Sequence, residues 1–242
     1  MVKLLLILKK LFALFLMIII LPLITIFYLL IYFEDKANPI YQGERVGKDF
    51  KKFKLYKLRS MIIRENKGFQ STSLNDSRIL KIGRLIRKTK IDELLQIINV
   101  IKGDINFVGP RPNVVEEVDQ YIEKERALLS YKPGTTDFSS IIFSDEGEIL
   151  KNSVNPDLDY KLLIRPRKNI LALLYLQDRN IFSDIYIVFL TILNIVNRNL
   201  TVRLIYNYMK KKYKNYDFEF ILRNKKLSKI ENLDNFFKLY EN

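Results

Sequence analysis

Two short motifs hold the residues best suited to chemistry. Asp92 and Glu93 form an adjacent carboxylate pair after a basic segment, and Arg111 follows later between Pro110 and Pro112. The chain contains no histidine and no cysteine, which excludes Ser-His-Asp triads, Cys-His dyads and zinc sites built on imidazole or thiolate. The groups that remain for catalysis are carboxylates, cations and hydroxyls, together with a hard metal ion. This set favours phosphate chemistry.

The carboxylate pair has two interpretations. In the first turn of a helix, acids commonly cap free N–H groups and complement the helix dipole. In a functional interpretation, the helix N-terminus with Arg87 and Lys90 keeps Asp92 ionised and attracts an anionic substrate. An ionised Asp92 could attack phosphorus and form an acyl phosphate, while Glu93 could hold Mg²⁺ together with substrate phosphates. The residues by themselves leave both interpretations open.

Three further cations are candidates for phosphate binding. Arg111 has little conformational freedom beside its prolines, so its guanidinium could be held at a fixed angle to a phosphate. Lys57 and Arg59 alternate with Leu58 on a predicted strand and would therefore share one face. Solvent-facing positions are the alternative for each of these three side chains.

A β-hairpin followed by a loop is predicted between residues 40 and 75. The strands of the hairpin cover residues 40–47 and 53–61, with a polar turn around Gly47-Lys48-Asp49. Residues 65–75 are polar and rich in Ser, Thr and Asn, which predicts a loop.

Helical periodicity predicts the elements that position the acids. One helix is predicted from Ser77 to Lys88 and a second from about Asp92 to Lys102. In the second helix the apolar side chains form the buried face, whereas Asp92, Gln96 and Asn99 fall on the other side. Two more helices are predicted at residues 170–176 and 181–196, and the basic, aromatic tail from residue 203 is predicted to be helical.

The segment from Leu11 to Phe33 contains no charged residue. As a helix it would be about 35 Å long, enough to cross a ~30 Å hydrocarbon core, so we expect a retained membrane anchor. Lysines precede it and the chain after it is basic, so the positive-inside rule places both ends in the cytoplasm. Pro22 at its midpoint favours a kink, and a re-entrant helix would satisfy both ends. A straight spanning helix is the alternative.

The charge balance predicts anionic partners. The chain has 41 Lys and Arg against 27 Asp and Glu, a formal net charge of +14. A non-catalytic basic adaptor at the membrane surface, bound to anionic lipid or an acidic partner, would also explain this charge and the anchor. Nucleic acid is not expected as a partner, because only the tail interleaves aromatic and basic residues.

Ordered motifs across the chain resemble those of the bacterial sugar transferases, which are small membrane-bound phosphoglycosyl transferases. The resemblance runs from the anchor to about Val196. Its motifs include Lys57-Leu58-Arg59-Ser60-Met61, Asp92-Glu93-Leu94 with Gln96, Asn99-Val100-Ile101-Lys102-Gly103-Asp104, Val108-Gly109-Pro110-Arg111-Pro112 and Lys132-Pro133-Gly134.

The resemblance implies a specific activity. The family transfers a sugar 1-phosphate from a UDP-sugar to undecaprenyl phosphate, releases UMP and requires Mg²⁺, which begins the assembly of bacterial capsule, exopolysaccharide, O-antigen or glycoprotein glycans. By this resemblance Asp92 is the nucleophile that forms a phosphosugar-aspartyl intermediate, and Glu93 is the metal ligand. Arg87 and Arg111 are the phosphate-binding arginines.

The resemblance also implies the fold and the location. The expected fold is mainly α with a small β-hairpin (α+β), monotopic, with a re-entrant membrane helix broken at Pro22. The expected divisions are residues 1–36 as the anchor, 37–200 as the catalytic domain on the cytoplasmic face of the bacterial cytoplasmic membrane, and 201–242 as an appendage. Membrane lipid is then a further partner, and self-association is left open.

Some positions depart from the family pattern. Leu21 stands where the family often has Ser before the membrane proline, and Thr135-Thr136-Asp137-Phe138 differs from the usual loop. Asp159 and Asp184 occupy acidic positions that only loosely resemble family ones. The identity of the sugar and of the glycan pathway is therefore not implied.

Overall fold

The computed structural model describes residues 2–62, 76–214, 216–222 and 227–230, with side chains from residue 7 onward. The predicted loop at 65–75 lies outside these residues. The described chain is mostly helical. The α-helices are α1 Val2–Asp35, α2 Lys81–Thr89, α3 Ile97–Lys102, α4 Val115–Val118, α5 Glu123–Arg126, α6 Phe138–Ile142, α7 Glu146–Ile149, α8 Pro156–Asp159, α9 Arg165–Gln177, α10 Ile181–Val196, α11 Arg198–Lys212 and α12 Glu219–Leu222.

Two small sheets interrupt the helices in the described residues. Strands β1 (Ile40–Val46) and β2 (Lys52–Leu58) pair antiparallel, with Ile40 opposite Leu58. Strands β3 (Asn106–Val108) and β4 (Gly134–Thr136) pair parallel. The hairpin confirms the sequence prediction, whereas the parallel pair was not predicted, because three-residue strands far apart in sequence carry no periodic signal.

Helix α1 packs lengthwise on the rest of the chain through one stripe. Ala13, Ile24, Phe27 and Ile31 are buried, at the three- and four-residue spacing that keeps side chains on one face. They contact apolar residues of β2, α2, α3 and the Ile91–Gln96 segment. The remaining faces of α1 expose large apolar side chains. Helix α1 is long and apolar enough to cross a membrane, and it continues without interruption through Pro22.

The two ends of α1 are tied to the domain by polar contacts. Near its start, Lys9 donates to the carbonyl of Ile105 at 3.3 Å. At its end, Glu34 accepts from the backbone N–H groups of Lys81 and Ile82 at 2.7 and 3.0 Å, and thereby caps α2. Because α2 leads directly into the carboxylate pair, the end of α1 fixes the element that presents these acids.

The main core surrounds α9, which is buried along almost its whole length. Helix α6 packs directly against α9, and α10 and α11 add buried residues to the same core. Residues beyond 200 contribute to the same core, since Ile205, Met209, Phe218 and Ile221 are buried there. The bounds of α10 agree with the predicted 181–196.

The predicted helix at 92–102 differs from the observed one. Ile91–Gln96 is a 3₁₀ segment, and α-helical geometry begins only at Ile97. The expectation that Asp92, Gln96 and Asn99 lie away from the buried face is wrong, because their exposed fractions are 8%, 1% and 0%. The segment is packed against both α1 and β2, which together cover these polar side chains.

Candidate active site

The carboxylate pair lies at a sharp change of backbone direction. Helix α2 ends at Thr89, the next residue Lys90 adopts a left-handed conformation with φ 59°, and the 3₁₀ segment starts at Ile91. This turn buries Asp92, whereas Glu93 stays partly accessible. The two acids therefore occupy different environments although they are adjacent in sequence.

Glu93 is held by two cations from separate elements. Arg111 donates from Nη1 to Oε2 of Glu93 at 2.5 Å, and Lys57 Nζ lies 3.8 Å from Oε1. The same Nη1 of Arg111 also donates to the carbonyl of Thr135 at 3.2 Å. The structure thus brings together three of the predicted site residues, Lys57, Glu93 and Arg111.

The position of Arg111 depends on a close approach of two strands. Gly109 has φ +156°, and a Cβ added to Gly134 would lie 2.2 Å from the nitrogen of Gly109. Only glycine permits this approach, which pairs β3 with β4 and projects the following Pro110-Arg111-Pro112 turn toward Glu93. Both prolines are buried, so the turn has little freedom.

The two acids have opposite pKa shifts. Burial alone would raise the pKa of Glu93, but Arg111 and Lys57 hold it well below the usual range of a glutamic acid. Burial raises the pKa of Asp92, and the positive charges of Lys57, Lys90 and Arg87 do not fully offset it. We expected Arg87 and Lys90 to keep Asp92 ionised on the basis of their charges alone. Burial of Asp92 acts in the opposite direction. Adjacent groups with divergent pKa values are typical of acid–base and nucleophilic sites.

The other predicted site residues lie in three different places. Arg87 is close enough to act electrostatically on Asp92, and its Nη1 contacts the sulfur of Met61 at 3.6 Å. Asp159 accepts from the Ser153 hydroxyl at 2.6 Å. Asp184 accepts from the Tyr175 hydroxyl at 2.5 Å, a contact between α10 and α9.

Arg59 does not share a face with Lys57, because β2 ends at Leu58. Its guanidinium is 2% exposed and forms an ion pair with Asp35 at the end of α1. It also donates to the carbonyls of Ala37 and Asn38 at 3.2 and 2.7 Å. These contacts join the end of α1 to the β1–β2 hairpin.

A second charged group near Arg111 was missed by the sequence analysis. Lys168 of α9 donates to Glu146 of α7 at 3.0 Å and to the Tyr160 hydroxyl at 3.4 Å. Glu146 and Arg111 act on each other electrostatically. No spacing rule could have found this group, because its members come from elements distant in sequence.

A cleft connects this second group with Arg111. Its polar lining alternates with apolar side chains, a composition typical of small-molecule sites. The polar residues in the lining include Arg111, Asn113, Tyr121, Ser139, Tyr160 and Lys168.

The carboxylate oxygens of Glu93 are compatible with a magnesium ion that also binds substrate. Among the described residues no cluster of three or more acids could enclose a metal ion on its own. Mg²⁺ commonly uses one or two carboxylates and completes its coordination with water and phosphate oxygens. A carboxylate has about four acceptor positions, so Glu93 keeps free positions beside its two cations.

Comparison with known proteins places the chain among sugar transferases. The family model described as "Bacterial sugar transferase" matches residues 4–198. A Bacillus subtilis protein named "Putative undecaprenyl-phosphate N-acetylgalactosaminyl 1-phosphate transferase" is 51% identical over 102 residues, 42% of this chain and 57% of that protein. The Escherichia coli "UDP-glucose:undecaprenyl-phosphate glucose-1-phosphate transferase" is 32% identical over 179 residues, 71% of this chain and 35% of that protein.

A third relative matches a similar length of this chain. "Galactosyl transferase CpsE" of Streptococcus agalactiae is 34% identical over 175 residues, 66% of this chain and 35% of that protein. The chain thus spans between 35% and 57% of the length of these three relatives.

Proposed function

The chain belongs to the bacterial sugar transferase family, and we propose that it transfers a sugar 1-phosphate from a UDP-sugar to undecaprenyl phosphate, with release of UMP. The observation that carries this proposal is the adjacent carboxylate pair, in which Asp92 is buried and the partly accessible Glu93 contacts two cations. Glu93 binds Arg111 and Lys57 while Asp92 lies beside it. Such a site suits phosphoryl transfer, which depends mostly on positioning and charge neutralisation.

In the first half-reaction, an oxygen of Asp92 attacks the β-phosphorus of the UDP-sugar. A bond forms between this oxygen and phosphorus, the bridging P–O bond breaks, and UMP leaves with the bonding electrons. Arg111 and Lys57 are placed to neutralise the charge that develops on the diphosphate oxygens. The product is a phosphosugar-aspartyl intermediate.

In the second half-reaction, the phosphate of undecaprenyl phosphate attacks the same phosphorus and displaces Asp92. The products are an undecaprenyl diphosphate sugar and the regenerated carboxylate. We assign Glu93 as the protein ligand of Mg²⁺, which, when bound, would neutralise charge on the donor diphosphate.

The surface supports attachment to one side of a bilayer. Helix α10 exposes apolar side chains along one face, among them Phe182 at 79%, Ile185 at 61% and Ile192 at 61%. We expect an amphipathic helix of this kind to lie in the membrane interface, and the exposed apolar faces of α1 to contact lipid as well. Both ends of α1 contact the same domain, which supports a monotopic anchor. The basic character of the chain on both sides of the apolar segment supports the cytoplasmic face. A bend at Pro22 remains part of this proposal.

The proposal is tested with the purified protein, Mg²⁺, undecaprenyl phosphate and a panel of UDP-sugars. We expect UMP release, and we expect Asp92→Asn and Glu93→Gln to abolish it. The exposed acid Glu44, which pairs with Lys52 at the surface, provides the matched control Glu44→Gln, for which we expect unchanged activity. Release that persists in both site variants would refute the proposal. A wild-type protein that releases no UMP but binds anionic lipid vesicles, equally well in all three variants, would instead support a membrane adaptor.

A further inference from the structure

The cleft beside Arg111 takes no part in the phosphoryl transfer described above. Arg111 and Lys168 of α9 both line this cleft, and Arg111 also contacts Glu93 in the carboxylate pair. Since Arg111 is placed to hold the donor diphosphate, a group attached to the β-phosphorus lies next to the cleft. The polar side chains of the cleft are therefore candidates to contact the part of the donor that the phosphate site leaves free.

Lys168 is the centre of a fixed polar group in the cleft. Its Nζ donates to Glu146 at 3.0 Å and to the Tyr160 hydroxyl at 3.4 Å, and it lies 5.3 Å from the centre of the Tyr160 ring. Tyr160 begins the π-helix Tyr160–Ile164 directly before α9, and π-helical turns are rare and often lie at functional sites. The side chain of Lys168 is 16% exposed and that of Glu146 is 41% exposed. The ion pair is thus held inside the domain at Lys168 and accessible to solvent at Glu146.

A second carboxylate lies near this ion pair. Glu117 of α4 is close enough to act electrostatically on both Lys168 and Tyr160. Its Oε2 is buried and forms no hydrogen bond with any residue in the described part of the chain. A buried acceptor without a donor costs about 1–3 kcal/mol of stability. The surroundings of Lys168 therefore contain a hydrogen-bond acceptor that the fold itself does not use.

The chemistry of this group suits a neutral ring with hydroxyl substituents. A hydroxyl both donates and accepts, so one hydroxyl can accept from Lys168 while it donates to Glu146. Both hydrogen bonds are assisted by charge, which makes them about twice as strong as neutral ones. A charged substituent would instead compete with one partner of the existing ion pair, and separating a partly buried pair is costly.

We propose that the cleft between Arg111 and Lys168 binds the sugar ring of the donor, with Lys168 donating to its hydroxyl groups and Glu146 accepting from them. This assignment rests on the proposed function. In a UDP-sugar the sugar is joined to the phosphorus that Asp92 attacks, whereas uridine is joined to the next phosphate, so the sugar is the part closer to Arg111. A site built to pair a hydroxyl strongly rejects a substrate in which that hydroxyl is absent or misplaced. Glu146 and Lys168 are thus specificity-determining residues for a neutral sugar.

The test compares Glu146→Gln with Glu148→Gln, an acid of the same helix whose side chain is 60% exposed. Glutamine keeps an acceptor for Lys168, so the fold is retained, but the charge that strengthens a hydrogen bond from a sugar hydroxyl is lost. The value of kcat/KM for UMP release is measured with the preferred UDP-sugar and with UDP-sugars epimeric at single ring carbons. We expect the preference among these donors to shrink about tenfold in Glu146→Gln, the difference between a charge-assisted and a neutral hydrogen bond. Glu148→Gln should keep the wild-type preference.

Inhibition by UMP, which carries no sugar, separates the sugar from the uridine. In Glu146→Gln and in Lys168→Met the inhibition constant of UMP should stay within about twofold of wild type, because binding of the uridine is not changed. Lys168→Met removes the donor but keeps an unbranched side chain, and its preference among epimers should shrink as well.

Three results would overturn the assignment of the cleft to the sugar. The first is an inhibition constant of UMP that rises as much as kcat/KM falls, which would place uridine in the cleft. The second is a wild-type preference among epimers in both variants, with or without a lower unfolding midpoint. The third is a wild-type protein that is active but does not discriminate between epimers. A wild-type protein that releases no UMP from any UDP-sugar would remove the proposed function itself, and this assignment with it.

Discussion

Substitution of Arg59 distinguishes most clearly between a structural role and a substrate-binding role. Its guanidinium is 2% exposed and pairs with Asp35, so Arg59→Gln removes one partner of a buried ion pair. Breaking such a pair costs about 3–5 kcal/mol. Asp35 is 23% exposed and regains water when it is left alone, so we expect the lower end, about 3 kcal/mol. This is a change of roughly 10²-fold in the unfolding equilibrium.

The assay is urea unfolding in detergent followed by far-UV circular dichroism, which suits a helical chain without tryptophan. The control is Lys52→Gln, whose partner Glu44 is 57% exposed, so the expected loss is at most about 1 kcal/mol. In Arg59→Gln the urea midpoint should fall while the KM for the UDP-sugar is retained. A wild-type midpoint with a raised KM would refute this reasoning and would establish the phosphate-binding role predicted from the sequence.

Substitutions at three further positions test the local geometry. Arg111→Lys should lower kcat/KM for UMP release on the order of 10²-fold, because an ammonium cannot reproduce the planar contact with Glu93; unchanged kinetics would contradict this. Asp137 is buried and caps α6, so Asp137→Ala should cost about 1–2 kcal/mol in denaturant unfolding whereas Asp137→Asn should not. Gly134→Ala should lower both the unfolding midpoint and the activity, because its Cβ would meet the nitrogen of Gly109; an active, stable variant would exclude the strand approach described above.

Much of the fold could be predicted where the pattern is local. The β1–β2 hairpin and α10 follow from alternation and helical periodicity, and the structure has both at the predicted places. The 3₁₀ geometry of Ile91–Gln96 could not be predicted, because its apolar spacing also suits an α-helix. The left-handed conformation of Lys90 and the contact with β2 decide between the two geometries.

The same distinction between local patterns and long-range packing applies to the candidate site. The nearness of Lys57, Glu93 and Arg111 could be proposed from types and motifs, although their elements are separate. The Glu146–Lys168 pair could not, because it depends on how α7 packs beside α9. The burial of Asp92 could not be predicted from the sequence either. The charges of its neighbours indicate an ionised carboxylate, whereas burial raises its pKa.

The central claim is that Asp92 carries the phosphosugar during turnover. Trypsin should release Ile91 to Lys102 as one peptide, in which Asp92 and Glu93 are the carboxylates. After incubation with UDP-sugar and Mg²⁺ but no acceptor, and an acid quench, mass spectrometry of this peptide should show an added sugar phosphate on Asp92. The adduct should disappear when undecaprenyl phosphate is added and should be absent from Asp92→Asn. An active preparation that shows no adduct on this peptide, or carries it on Glu93, would contradict the account.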